Sequence, residues 1–485
     1  MEATLVKKPV RVRLGPSPTG PLHIGTARTA LCNWLFAKHT GGTFVLRIED
    51  TDKERSEKKY ETELFEGLSW LGFDWDEGPA DIGQKEKGAY GPYRQSERIA
   101  IYKKYLEQLL ASGAAYYCYC TKEDLEAQRQ AMLVQGLPPK YSGHCRNRTA
   151  PPEGKKPEVI RFKVPEVKVE FKDLVRGKVV FDAALFGDIV IAKDLDTPLY
   201  NFAVVVDDEL MAITHVIRGE DHLSNTPKQI LMQKALGFGQ PIYAHIPLVL
   251  NADRSKMSKR FNDVALSDYR DRGYLPEALV NFLALLGWHP KDNKEVLSFN
   301  ELIAQFDIDR VQQAAAIFNE EKLDWLNREY MKLLPLAELV ARAKPFFEKA
   351  GIAVNDTALL EKMVKLQLSR AKTLGDFAEA GKFFFVLPDY DAKLLAWKDA
   401  PLAETKIALS DACAALSALP AEKFQREFFL AALAPLIDKQ GRGPIFWPLR
   451  AALSGQSASP DPMEIMETLG RDESLRRINL AIAKL

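Results

Sequence analysis

No run in this 485-residue chain approaches the roughly 18 consecutive apolar residues that a membrane-spanning helix needs, so such a helix is excluded. Cysteine is scarce, and five in so long a chain cannot form a disulfide framework. Neither sign of charge is in excess. The 66 Lys and Arg balance 66 Asp and Glu, which excludes a global polycation and leaves any nucleic-acid surface to local clusters. The polar, Lys- and Arg-dotted segment Met1 to Leu14 lacks the apolar core of a secretory signal. There is no internal repeat, and bias toward Ser and Pro is confined to a short connector, Ser454 to Pro462. What is present is ordinary globular composition, 46% hydrophobic and 27% charged. The length suggests about three domains. The expectation is a cytoplasmic protein with a sizeable core.

The first 50 residues have the clearest local pattern. Val10, Val12 and Leu14 alternate with Arg11 and Arg13, a strand period. Gly15-Pro16-Ser17-Pro18-Thr19-Gly20-Pro21 forces a loop. Ala27, Ala30, Leu31, Trp34 and Leu35 then form one apolar helical stripe, which Gly41-Gly42 terminates. Thr43 to Ile48 is the next strand, with Glu49 and Asp50 at its end. Strand, loop, helix and strand in this order begin a doubly wound, Rossmann-type parallel sheet. Helices are expected near Ser56–Leu71 and Ser96–Ser112, each opened by a Ser able to cap it. From Tyr116 the chain turns rich in Val, Phe, Lys and Pro. Val167 to Phe171 alternates like an exposed strand, so this stretch is an α+β insertion. Parallel strands are expected to resume at Tyr200–Val206 and Ala212–Ile217. Asn225-Thr226-Pro227 opens a helix that ends at Gly237. Beyond Leu275 the helical period dominates, and beyond residue 331 the chain is Ala- and Leu-rich and all-helical. The expected domains are 1–115 with 200–255 (sheet), 116–199 (insertion), 256–330 (a basic loop with helices) and 331–485 (helical).

Two constellations carry chemistry. His23-Ile24-Gly25-Thr26 lies where the Pro/Gly loop meets a helix N-terminus, whose unpaired N–H groups and partial positive charge suit phosphate. Gly25 allows close backbone approach, and His23 can donate to phosphate oxygens. Lys256-Met257-Ser258-Lys259-Arg260 puts three cations within five residues. Such a run is usually a solvated face. Its functional reading is a loop that neutralises a triphosphate as pyrophosphate leaves.

Pro16 to Gly25 resembles the HIGH signature of class I aminoacyl-tRNA synthetases, and Lys256 to Arg260 resembles their KMSKS signature. The pair, in this order across an interrupted sheet, is specific. Pro16-Ser17-Pro18-Thr19-Gly20, Arg47 to Asp52, Gly91 to Ser96 and Val216 to His222 are similar to the bacterial-type glutamyl subgroup. The resemblance is clear over residues 9–330 and mainly architectural beyond. It implies that ATP and L-glutamate give glutamyl-adenylate and pyrophosphate, and that the terminal adenosine of tRNA(Glu) then takes the glutamate. Bound tRNA is typically needed even for the first step in this family. Mg²⁺ is implied as the counter-ion of ATP. Catalytic contacts are implied at His23, Lys256 and Lys259. ATP contacts are implied at Pro16, Ser17, Thr19, His23, Gly25, Thr26, Lys256, Met257, Ser258, Lys259 and Arg260. Glutamate contacts are implied at Arg13, Ser17, Glu49, Tyr200 and Arg218. The residue chemistry agrees: a guanidinium pairs bidentately with a carboxylate, and Glu49 suits an ammonium. Which Arg holds the side-chain carboxylate stays open.

Cys118, Cys120 and Cys145 resemble a zinc site of some members. Those members carry a His two residues after the third Cys, where this chain has Asn147, a poor zinc ligand. Structural thiols are the alternative. The family places the acceptor end of tRNA on the insertion, where Lys140, Arg146, Arg148, Lys155 and Lys156 supply charge. The helical C-terminal region is implied to bind the anticodon. There Gln440 to Pro444 reads as a turn, and Phe446 and Trp447 as a platform for bases or as core. The family is usually monomeric. Competing readings are a paralogue that glutamylates a tRNA base, which would lack the helical region, and a small nucleotidyltransferase with the same His motif, which would be far shorter.

Overall fold

The structure, a computed structural model, describes residues 9–52, 54–80, 85–255 and 265–485. The basic segment Lys256, Met257, Ser258, Lys259 and Arg260 therefore lies outside the described residues. The chain divides into two compact units, Met1–Asp268 with Leu279–Glu320, and Tyr269–Ala278 with Glu321–Leu485.

In the first unit, β1 (Arg11–Leu14) and β2 (Thr43–Leu46) pair in parallel, Val12 opposite Phe44 and Leu14 opposite Leu46. Helix α1 (Ile24–Thr40) makes the crossover and buries the stripe Ala27, Ala30, Leu31, Trp34 and Leu35. It ends where Gly41 turns left-handed at φ 63°. All four residues of β1 are buried. Its two arginines do not face water but reach carboxylates, Arg11 on Glu77 and Arg13 on Asp208. Helices α2 (Lys58–Trp70) and α3 (Ile99–Ala111) follow. Neither is capped by its expected serine. The Ser96 N–H and hydroxyl both donate to Asp50, and the Ser56 N–H donates to the Asp52 carbonyl. Asp50 draws Ser96 away from its helix end, whereas the Ser56 hydroxyl has no hydrogen-bond partner among the described residues.

The insertion holds an antiparallel sheet of β3 (Ala115–Cys118), β4 (Val159–Phe162) and a later strand, Ile189–Ala192, with β4 central. Between β3 and β4 lies Lys122–Val134, opened by a capping box of Thr121 and Asp124. β5 (Lys168–Asp173) alternates exposed and buried residues, as its sequence predicts, and forms a hairpin with β6 (Gly177–Asp182).

The expected strand at Tyr200–Val206 is instead a helix, Tyr200–Leu210. A short β-branched apolar run reads alike for a buried strand and a buried helix. Here every residue from Phe202 to Asp208 is buried, so no polar face gives the helical period away. The true strand is Val216 and its neighbours, His215–Gly219, parallel to Ile242–Ile246 with Arg218 opposite His245. Thr214 donates its N–H to the Arg11 carbonyl at 2.9 Å, which brings this pair alongside β1. The crossover helix Thr226–Leu236 carries Pro227 in its first turn and ends at left-handed Gly237. On the far side of Ile242–Ile246, β5 joins in parallel at one pair, Asp173 opposite Tyr243. The result is a doubly wound parallel sheet whose outer edge is extended by the insertion's hairpin.

The second unit has helices and, among its described residues, no strand. Leu336–Lys349, Thr357–Gln367, Leu374–Phe385 and Leu402–Ser417 are followed by Arg426–Gln440, Arg442–Ser454, Pro462–Leu469 and Arg471–Lys484. Phe347, Met363, Phe377, Leu409, Leu449 and Ile478 lie in one core. Arg477 is buried within it and donates to the carbonyls of Phe383, Leu453 and Phe384, satisfying acceptors at the ends of two helices. Trp447 donates its Nε1–H to the Leu394 carbonyl at 2.9 Å and packs on Trp397, while Phe446 packs against the core. Arg442 and Arg450 sit over the rings of Phe446 and Trp447 at 4.7 and 4.5 Å.

Candidate active site

A cleft of 1120 Å³ opens where β1, His215–Gly219 and Ile242–Ile246 end, the carboxyl edge of the parallel strands. Arg13, Pro16, Ser17, Thr19, His23, Gly25, Thr26, Glu49, Tyr200 and Arg218 all line it. The loop after β1 is fixed by hydrogen bonds from the Glu49 N–H to the Pro16 carbonyl and from the Glu57 N–H to the Pro18 carbonyl. Gly15 is required by space. A Cβ there would stand 2.2 Å from Oε1 of Glu49.

His23 is the N-cap of α1, and its Nδ1 accepts from the Thr26 N–H at 3.3 Å. With Nδ1 an acceptor, the proton of the neutral ring sits on Nε2, which lies 3.1 Å from the Thr26 hydroxyl. The first turn of α1 carries no acidic residue, so its partial positive charge meets the cleft uncancelled.

Beneath the cleft lies a buried ion network. Arg47 bonds Glu49 at 2.8 Å and Asp208 at 2.7 Å, and Asp208 also bonds Arg13 at 3.2 Å. Asp207 accepts from Arg98 at 2.6 Å, from Gln95 at 2.8 Å and from the Tyr102 hydroxyl. Burial would raise the Asp208 carboxyl, but the charges of Arg13 and Arg47 outweigh it and hold the group below its ordinary value. Glu49 is shifted up by burial, which its partners Arg47 and Arg13 offset only in part.

Arg218 lies on the cleft wall and is 4% exposed. Its Nη2 donates to Thr226 Oγ1 at 2.7 Å and Gln229 Oε1 at 2.8 Å, and its Nε to His245 Nε2 at 3.2 Å. Its Nη1 is buried with no hydrogen-bond partner among the described residues. An unsatisfied buried donor on a permanent cation is costly, and an incoming anion removes that cost. The Tyr200 hydroxyl meets Nδ1 of His222 at 3.0 Å. Burial and the charge of Arg218 press His222 down to about 4, so it is neutral near pH 7.

The cysteines form a separate cluster. The Sγ atoms of Cys118, Cys120 and Cys145 are buried and lie within 4.8 Å of one another. Tetrahedral zinc with thiolate bonds of about 2.3 Å puts sulfurs about 3.8 Å apart, so the spacing fits. The Tyr141 hydroxyl completes the group, 3.4 Å from Cys118 Sγ and 3.7 Å from Cys120 Sγ. His144 and Asn147 are exposed, and His144 is not part of the group. Of the insertion's cations, Arg146 is committed to Asp188 and Lys140 to the Ala184 carbonyl, whereas Arg148, Lys155 and Lys156 are exposed.

The chain matches the family of class I tRNA synthetases (E and Q), catalytic domain, over residues 9–325, and the anticodon binding domain over residues 338–482. It belongs to this class I synthetase family. It is 45% identical to glutamate–tRNA ligase 1 of Caldicellulosiruptor saccharolyticus, over 97% of this chain and 98% of the relative. It is 53% identical to the glutamate–tRNA ligase of a Sulfurihydrogenibium species, over 78% of this chain and 79% of that one. A crystal structure of a glutamate tRNA ligase from Elizabethkingia meningosepticum, in complex with its amino acid, matches with a TM-score of 0.84 at 37% identity, covering 98% of this chain and 99% of that one. The α/β catalytic region with its insertion and the helical C-terminal region agree with these relatives.

Sequence reasoning missed the groups behind the cleft, Asp207, Asp208, Thr226, Gln229, His245 and Asp173, and also Tyr141 beside the cysteines. One signal was readable. Asp207-Asp208 ends a run of buried apolar residues, where paired acids need cationic partners.

Proposed function

We propose that this chain is a glutamate–tRNA ligase that joins L-glutamate to the 3′-terminal adenosine of tRNA(Glu) at the expense of ATP. The observation that carries the reading is Arg218: a buried guanidinium on the wall of a cleft that Glu49 also lines, with one donor unsatisfied. A molecule with a carboxylate for Arg218 and an ammonium for Glu49 is an amino acid, and a second carboxylate makes it an acidic one. Arg13, Ser17 and Tyr200 complete the contacts to glutamate. ATP lies along Pro16, Ser17, Thr19, Gly25 and Thr26, with its phosphates toward the N-terminus of α1. His23 donates from Nε2 to a phosphate oxygen. Lys256 and Lys259, with Met257, Ser258 and Arg260 around them, neutralise the leaving pyrophosphate, and Mg²⁺ accompanies the nucleotide.

The α-carboxylate oxygen of glutamate attacks the α-phosphorus. The bond to the β-phosphate oxygen breaks, giving glutamyl-adenylate and pyrophosphate. The 2′-hydroxyl of the terminal adenosine then attacks the glutamyl carbonyl and AMP leaves. The insertion (116–199) holds the acceptor end and residues 331–485 the anticodon. Zinc fits the cluster of Cys118, Cys120 and Cys145, with the Tyr141 oxygen as the remaining donor. There it would tie the strand holding Cys118 to the loop holding Cys145.

The test is glutamate charging by purified protein with Mg-ATP and two transcripts, tRNA(Glu) and tRNA(Gln). Charging of the first alone means a discriminating enzyme, and charging of both a non-discriminating one. Charging of neither, with folded protein and competent tRNA, refutes the reading.

A further inference from the structure

The guanidinium of Arg218 is held from behind by a chain of groups that starts on the insertion's hairpin. Asp173, at the end of β5, is 1% exposed, and His245 is fully buried. The Asp173 carboxylate accepts the N–H groups of Val175 at 2.9 Å, Arg176 at 2.8 Å and His245 at 3.2 Å. Its Oδ2 lies 2.6 Å from Nδ1 of His245. A carboxylate that already accepts three N–H donors is ionised, so the proton between the two groups belongs to Nδ1. Nε2 of His245 is then a lone-pair acceptor, and the Nε–H of Arg218 donates to it at 3.2 Å. Burial and the neighbouring charge of Arg218 keep the imidazole neutral. The other side of the guanidinium is held by Thr226 and by Gln229, whose own Nε2 donates to Asn201 Oδ1 at 3.0 Å.

A guanidinium is planar and rigid, so fixing Nε and Nη2 fixes Nη1 as well. We propose that Asp173 and His245 are positioning residues for glutamate: Asp173 sets the tautomer of His245, and His245 sets the plane of Arg218, so that Nη1 is presented to a substrate carboxylate. This rests on Arg218 being the carboxylate ligand. Neither Asp173 nor His245 lines the cleft, so neither touches substrate; His245 Nε2 also lies 2.9 Å from Thr226 Oγ1, itself a partner of Arg218, so both of its contacts bear on that guanidinium.

Replacing Asp173 by the isosteric Asn reverses the logic. Its amide group can donate to Nδ1, which moves the imidazole proton to Nε2 and turns it against the Arg218 Nε–H. His245→Leu removes the acceptor, whereas His245→Gln keeps an acceptor oxygen near the position of Nε2. The experiment measures KM for glutamate, KM for ATP and kcat in tRNA charging by the full chain, for these three variants and for Arg218→Ala. Asp173→Asn and His245→Leu are expected to raise the glutamate KM roughly tenfold and leave the ATP KM within about twofold, and His245→Gln to recover most of the loss. The positioning role is overturned if glutamate KM is unchanged in Asp173→Asn, if both KM values rise alike, or if His245→Gln is as impaired as His245→Leu. Should His245→Leu fail to fold, Asp173→Asn carries the test. If Arg218→Ala itself keeps the parent glutamate KM, it is the assignment of Arg218 that has failed, and the positioning role falls with it.

Discussion

Gly15→Ala adds one methyl group, and the structure says what that methyl group meets. The new Cβ would stand 2.2 Å from Oε1 and 2.6 Å from Cδ of Glu49. Ordinary contact needs about 3.4 Å, so the carboxylate must retreat by about 1.2 Å, more than a hydrogen bond tolerates. It cannot move freely, because Oε1 is bonded to Arg47 at 2.8 Å and Arg47 is itself held by Asp208 at 2.7 Å. All three side chains are buried. Lengthening a charge-assisted hydrogen bond in such surroundings costs about 2 kcal/mol. If Glu49 takes the glutamate ammonium, the same displacement weakens the substrate and raises its KM roughly thirtyfold, with a smaller effect on ATP. The assays are thermal denaturation and steady-state charging at varied glutamate. A double variant, Gly15→Ala with Glu49→Asp, shortens the obstructing side chain. Glu49→Asp by itself draws the carboxylate back from Arg47 and loses stability, but in its background Gly15→Ala should cost little further while glutamate KM stays high, a coupling that a double-mutant cycle isolates. Parent stability and parent glutamate KM in Gly15→Ala would refute the reasoning, because the clash would then have been absorbed elsewhere.

Lys259→Ala should slow adenylate formation in a single turnover while equilibrium binding of glutamate changes little, and unchanged activation would remove Lys259 from the reaction. Asp208→Asn leaves Arg13 and Arg47 short of a buried counter-charge and should cost about 3 kcal/mol in denaturant unfolding at pH 7. The Asp208 carboxyl is held below its unfolded value, so its contribution is fully present above about pH 4 and is lost as pH falls through the folded value. The gap between parent and variant should therefore be constant from pH 7 to about pH 5 and close under more acid conditions, and a gap that widened with acid would contradict the pairing. Metal analysis should return about one zinc per chain, lost in Cys118→Ser and reduced in Tyr141→Phe, whereas less than about half an equivalent in the parent would mean structural thiols.

Much of the catalytic unit was legible because its signals are local. A Pro/Gly loop, an apolar stripe from Ala27 to Leu35 and a left-handed Gly41 are each decided by neighbours along the chain. The cleft residues could be named for the same reason, since they sit on the loops and strand ends that such punctuation marks. The stretch from Tyr200 was not legible as a helix. Its strand-like composition is overridden by burial on every side, a tertiary fact. The serine at position 96 misled for a similar reason: its hydroxyl is taken by Asp50, a neighbour in space and not along the chain, while Ser56 stands one residue before the N-cap position, Glu57.

The sequence by itself determined the family, the order of its parts and the chemical types in the cleft. These are written in residue identity and short spacing. It could not determine which donors of each cation are already engaged. Arg13 and Arg218 are equal candidates on paper. Only the folded chain brings Asp208 onto Arg13 from 195 positions away, and His245, Thr226 and Gln229 onto Arg218. A guanidinium has a fixed set of donors. Which of them face substrate is decided by subtraction, once distant strands have taken the rest.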